Sequence, residues 1–139
     1  MPASFVLQKG VPMKVAFTST NGEMIDQHFG QCTSFHVWEI GPDEAVQLPS
    51  ISAITSAEDE EDRIAARAAA ITGCAIVYTM QIGGPAAAKL VARKIHPMKT
   101  NAEVPVADIV SKLQAVLQGN PPPWLKKAMH KDERKSFLD

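Results

Sequence analysis

The residues best equipped for chemistry fall in one short run, Asn21-Gly22-Glu23-Met24-Ile25-Asp26-Gln27-His28-Phe29-Gly30-Gln31-Cys32. His28 offers a neutral imidazole nitrogen to a metal, and Cys32 a thiolate that suits soft iron. Asp26, two positions before the histidine, is a candidate to hold its other ring nitrogen. Phe29 reads as the side chain that anchors the run in a core. Gly30 can adopt a positive φ and let a bulky ligand approach the backbone. The spacing alone is a weak pattern, equally met by a loop histidine and a small buried cysteine.

A second candidate is Gly83-Gly84-Pro85, read as the junction between a strand and a helix. Backbone N–H groups at a helix start can receive an anion, and the proline stands where a missing N–H costs nothing. The segment has neither a phosphate-loop ending nor a dinucleotide fingerprint. Met80 and Gln81 precede it and are candidates to face a ligand, as are Met24 and His96. His36 shares a strand face with Trp38 and Ile40 and reads as packed. Cys74, just before a buried strand, reads as a small core residue.

The remaining inventory excludes several classes. Two cysteines cannot supply the four thiolates of a ferredoxin-type cluster site. No HExxH, GxSxG or Walker sequence occurs, and the first strand carries no carboxylate for a two-metal nuclease centre. A non-enzyme is expected. A net charge of −1 gives no footprint for a nucleic acid. The acidic run 58–62 reads as first-turn acids complementing a helix dipole. Neither a secretory h-region nor a membrane-length apolar stretch is present, so a soluble, cytoplasmic protein without a membrane partner is expected.

The elements that must position these groups follow from periodicity. Met13–Thr18 and Ser34–Ile40 read as strands, and Gly41-Pro42-Asp43 turns the second into a third strand near Ala45–Pro49. Ser56 is a candidate N-cap for a helix over 57–72, with Ile64, Ala68 and Ile71 on one stripe and Gly73 beyond its end. Ala75–Tyr78 is a buried-type strand, a second helix starts at Gly83-Gly84-Pro85, and Ile95–Met98 is the last strand. Pro105 opens a third helix whose Val106, Ile109, Val110, Leu113, Val116 and Leu117 follow the 3.6-residue period. The expected fold class is α/β, a mixed five-stranded sheet flanked by helices, antiparallel in its first part and parallel in its second. Ligands favour the carboxyl ends of parallel strands, where loops 19–33 and 79–84 meet. The expected organisation is an N-terminal arm (1–12), one α/β domain (13–119), and a Pro-rich spacer with a basic tail (120–139).

Several motifs in this order resemble the dinitrogenase iron–molybdenum cofactor-binding family. They are Val15-Ala16-Phe17-Thr18-Ser19, Asp26-Gln27-His28-Phe29-Gly30, Cys32 with Phe35, Cys74 through Tyr78, Ile82-Gly83-Gly84-Pro85-Ala86-Ala87 and Ile95-His96-Pro97-Met98-Lys99. The resemblance covers about 13–118, and Pro-Pro-Trp-Leu-Lys-Lys-Ala at 122–128 is similar to the tail of single-domain members. It implies a ribonuclease-H-like fold lacking catalytic carboxylates. It also implies, as cargo, the iron–molybdenum cofactor or its molybdenum-free iron–sulfur precursor. The family's cofactor-linked histidine corresponds to His28, with Cys32 expected as the second metal ligand. Asp26, Phe29, Gly30, Gly83 and Gly84 complete the expected cofactor-binding set. Implied partners are the cluster donor and scaffold proteins of nitrogenase cofactor assembly. The alternative expectation is a regulatory or scaffold module that docks on those proteins without holding cluster, motivated by the tail at 124–131.

Overall fold

The computed structural model describes residues 12–119 and 123–125. The expected arm, apart from Pro12, and the tail, apart from Pro123, Trp124 and Leu125, lie outside the described residues. In chain order the elements are β1 (Met13–Thr18), β2 (Met24–Ile25), a 3₁₀ turn (Phe29–Gln31), β3 (Ser34–Ile40), β4 (Ala45–Gln47), β5 (Ile51–Ser52), α1 (Glu60–Ala70), β6 (Ile76–Thr79), α2 (Gly84–Ala92), β7 (His96–Lys99), β8 (Val104–Pro105) and α3 (Val106–Gln118).

The main sheet runs β4-β3-β1-β6-β7, with β5 also paired to β3. β3 is antiparallel to β1, whereas β6 is parallel to β1 and β7 to β6. β1 lies at the centre because Val15 through Thr18 are buried on both faces, which suits an apolar run rather than an alternating one. The expected antiparallel-then-parallel order is therefore observed. The strand count differs: the sheet has six strands because its outer edge is split. Trp38 pairs with Gln47, but Phe35 pairs with Ile51, so the register slips by one residue between them. Pro49 stands at the slip, where its missing N–H removes no ladder bond. The other edge is blunted in a related way. His96 N and Thr100 N donate inward to Ala75 O and Thr79 O, which leaves Pro97 N on the outer side.

Helices cover both faces. Ile64, Ala68 and Ile71 of the first helical unit and Ala86 and Leu90 of α2 pack with Ala16, Phe35, Val37 and Val77 on one side. Val106, Val110, Leu113 and Leu117 of α3 pack with Val15, Phe17, Ile40 and Ile76 on the other. α1 begins later than the sequence suggests. Asp59, not Ser56, takes the cap position, and its side chain makes no capping bond. Glu60, Glu61 and Asp62 then complement the dipole in the first turn. Gly73, at φ +98°, turns the chain back toward β6.

Trp124 and Leu125 belong to the α3-side core, and Leu125 is fully buried. Trp124 stacks on His96 at 4.4 Å between ring centroids. These two residues thus cover their own domain, while the rest of the segment at 124–131 lies outside the described residues. Among the described residues, no helix is long and apolar enough to cross a membrane.

Phe17 and Tyr78 stack at 5.6 Å in the α3-side core, and burial pushes the Tyr78 phenol up to about 12. An unfolded phenol ionises near its ordinary value of 10. The native state therefore keeps the proton longer, and this stabilisation is complete below about pH 10 and lost as pH rises toward about 12. The expected slope is up to about 1.4 kcal/mol per pH unit. Urea titrations across this window should show it in the wild type, and Tyr78→Phe should flatten it.

Candidate functional site

β1 and β6 end side by side in Thr18 and Thr79, both fully buried. A buried hydroxyl needs a partner, and these two find shared ones. Thr18 Oγ1 lies 2.9 Å from Gln27 O and 3.0 Å from Thr79 Oγ1. Thr79 Oγ1 lies 3.0 Å from Gln27 O and 3.2 Å from Gln81 O. Two hydroxyl protons are thus distributed among the carbonyls of Gln27, Tyr78 and Gln81 and the neighbouring hydroxyl. Backbone bonds complete the lacing: Met80 N donates to Gln27 O at 3.0 Å, and Phe29 N donates to Gln81 O at 2.9 Å. The Gln27 side chain then closes the loop on itself, accepting from Thr33 N at 3.2 Å and donating to Thr33 Oγ1 at 3.3 Å.

Between Gln27 and Thr33 the chain makes a 3₁₀ turn, closed by Gln31 N donating to His28 O at 3.1 Å. Side chains three apart in such a turn lie on the same side. Phe29 and Cys32 accordingly face the core, both at 0% exposure, while His28, Gly30 and Gln31 are exposed. Phe29 packs at 5.8 Å from Phe35 and anchors the turn as expected.

His28, Gly30 and Gln31 line one side of an open cleft of about 320 Å³, and Gln81, Ile82 and Gly83 line the other. Gln81 is held by its Nε2 donating to Asn101 Oδ1 at 2.9 Å. Gly83 is the N-cap of α2 with no side-chain cap, and Pro85 lies in the first turn. Uncapped N–H groups and the positive dipole end therefore adjoin the cleft.

The structure brings together only part of the expected set. His28, Gly30 and Gly83 line the cleft. Gly84, the first residue of α2, is exposed beside it but not among its lining residues. Cys32 does not join His28: the turn points its thiol inward, and the two residues present opposite faces. Burial pushes the Cys32 thiol above its ordinary pKa, and the neighbouring Arg67 guanidinium opposes that shift without overcoming it. Asp26 does not hold the His28 ring. Its Oδ1 accepts from Thr20 N at 2.9 Å and so organises loop 19–23 instead. Gly30 has no positive φ, and a Cβ there would meet open space. The glycine that geometry does require is Gly22, at φ +89°, where a Cβ would lie 3.0 Å from His36 Nδ1. His96 sits at the start of β7, opposite the cleft end, and desolvation lowers its pKa. Met80 packs in the α3-side core. Met24 lies in β2, which pairs with β8 as a small second sheet.

Three structural contributors carried little sequence signal: Thr18, Thr79 and Arg67. Arg67 lies on the buried stripe of α1, and its Nη2 donates to Cys32 O at 3.0 Å. Among the described residues, no group of three His, Cys, Asp or Glu side chains could hold a metal ion.

Fold and site together define an α/β protein that presents a single exposed histidine on a braced turn at the carboxyl edge of a parallel sheet pair. The crystal structure of PH0822 shares the fold at a TM-score of 0.56, covering 74% of this chain and 91% of that one at 18% identity. The family model described as dinitrogenase iron-molybdenum cofactor matches residues 12–116, and the chain belongs to that family. It is 41% identical to protein NifX of Herbaspirillum seropedicae, over 88% of this chain and 86% of that protein. It is 35% identical to protein NifX of Rhodobacter capsulatus, over 91% of this chain and 83% of that protein. It is also 42% identical to protein NifY of Azotobacter vinelandii over 84% of this chain, but spans only 48% of that longer protein.

If the threonine pair fixes the turn, Thr79→Val should lower stability by about 1–3 kcal/mol, the range for stranding a buried hydrogen-bonding group. Hydrogen exchange at the Phe29 and Met80 amides should quicken beyond the global change. Unchanged exchange at both amides would show that the turn stands without the hydroxyl.

Proposed function

We propose that this protein binds and carries the nitrogenase iron–molybdenum cofactor, or its molybdenum-free iron–sulfur precursor, during cofactor biosynthesis. It does so without catalysing a reaction, in the cytoplasm, between cluster donor and scaffold proteins of nitrogenase assembly. The observation that carries this reading is the exposed imidazole of His28 on a turn braced from three sides, facing an open cleft.

The chemistry follows from what the cargo brings. Sulfides of a preassembled cluster already satisfy most of the iron valences, so the protein need only cap one iron and shield part of the surface. A neutral imidazole supplies that bond. Gly30 and Gly83 leave room for a bulky inorganic body beside the backbone. The uncapped start of α2, from Gly83 and Gly84, offsets negative charge on the cargo. Phe29 and Asp26 serve indirectly, one as anchor of the turn and one as brace of the preceding loop. Cys32 is left out of the ligand set because its thiol faces the core. A single protein bond also suits release, since each further ligand would slow dissociation to the next protein.

The alternative, a docking module that never holds cluster, rested on the tail beginning at Trp124. The packing of Trp124 and Leu125 on their own core gives it no support.

Anaerobic incubation with isolated iron–molybdenum cofactor, then gel filtration and visible absorbance, tests the reading. The wild type should retain cluster, and His28→Ala should bind at least about tenfold more weakly, equivalent to about 1.4 kcal/mol or more. Cys32→Ala should retain cluster within about twofold of wild type. Equal retention by wild type and His28→Ala would remove the histidine from its role, and no retention by wild type would remove the carrier function.

A further inference from the structure

Arg67 occupies a position that packing alone would give to an apolar side chain. It projects from the stripe formed by Ile64, Ala68 and Ile71, and is 8% exposed. One of its donors is used, Nη2 on the carbonyl of Cys32 at 3.0 Å. Nε and Nη1 are buried with no hydrogen-bond partner, and no carboxylate among the described residues pairs with the guanidinium. A buried charge of this kind is costly, and arginine cannot escape the cost by losing its proton. A methionine or leucine would fill the same stripe without it.

The guanidinium meets Cys32 twice, at the carbonyl oxygen and beside the thiol, and this identifies what the charge acts on. Cys32 ends the turn whose outer surface carries His28, Gly30 and Gln31, so the guanidinium bonds the inner side of the turn that lines the cleft. A charge in a low-dielectric interior acts on its surroundings more strongly than a solvated lysine, and salt screens it less. We propose that Arg67 is a positioning residue of the His28 site, stapling the turn through the Cys32 carbonyl and supplying a buried positive charge that favours an anionic metal–sulfur cargo. This inference rests on the carrier reading. It adds to it the sign of the charge that the site selects and the residue that sets it.

The proposal predicts a split that a merely structural arginine would not give. In the full-length apoprotein, Arg67→Met should unfold at the same temperature as wild type or higher, because the unpaired charge is gone. The same variant should bind isolated iron–molybdenum cofactor about tenfold or more weakly. Arg67→Lys, which keeps the charge but not the fork, should bind between the two. Retention by Arg67→Met equal to wild type would overturn the proposal, as would a Met variant that loses both stability and binding. If wild type itself retains no cofactor, the carrier reading fails; if wild type binds through His28 and Arg67→Met binds equally, only this proposal fails.

Discussion

The site depends on the meeting of two buried threonine hydroxyls with one backbone carbonyl. Thr18 and Thr79 end adjacent parallel strands, and Gln27 O is the acceptor that both reach. Strand ends normally release the chain into solvent, where a loop histidine would sample many positions. Here the hydroxyls, with the Met80 and Phe29 amides, lace Gln27 through Phe29 to the ends of β1 and β6 and to the residues that follow β6. The turn that carries His28 is thereby tied to the ends of both strands, although it lies well beyond β1 along the chain.

From that fixed point the 3₁₀ geometry decides which side chains are offered. Its three-residue repeat sends Phe29 and Cys32 inward and leaves His28 and Gln31 outside. The inward pair joins the core with Phe35 and Val37, so hydrophobic burial holds the turn from below. Arg67 adds a hydrogen bond at Cys32 O. A pre-organised single ligand of this kind loses little entropy on binding, and it need not be strong to be specific. On the carrier reading, release requires breaking one bond rather than dismantling a cage.

Much of the frame was legible in the sequence. The runs Met13–Thr18 and Ala75–Tyr78 identified strands, the second as a buried type, and the 3.6-residue period of Val106–Leu117 identified a helix. The carboxyl-end location of the site followed from the order of elements. Other features depend on contacts remote in sequence. Nothing near Thr18 announces that Thr79, 61 residues away, completes its hydrogen bond. The spacing of His28 and Cys32 suggested a pair because a loop was assumed to bring both to one side, whereas a tight turn separates them. Asp26 was within reach of His28 by sequence, but the Thr20 amide claimed it. β2 and β8 are two residues each, too short for any periodicity, and they exist only because loop 19–33 lies against the start of α3. Arg67 carries no signal in the periodicity of its helix, and only the packing of α1 places it inside.

The central claim is that one protein nitrogen, from His28, bonds the cargo and that Cys32 does not. Pulsed electron paramagnetic resonance on cluster-loaded protein labelled with nitrogen-15 only in histidine tests it directly. The account predicts coupling from a single imidazole nitrogen, absent in His28→Gln and unchanged in Cys32→Ala. Coupling that survives the loss of His28, or changes with the loss of Cys32, would contradict it.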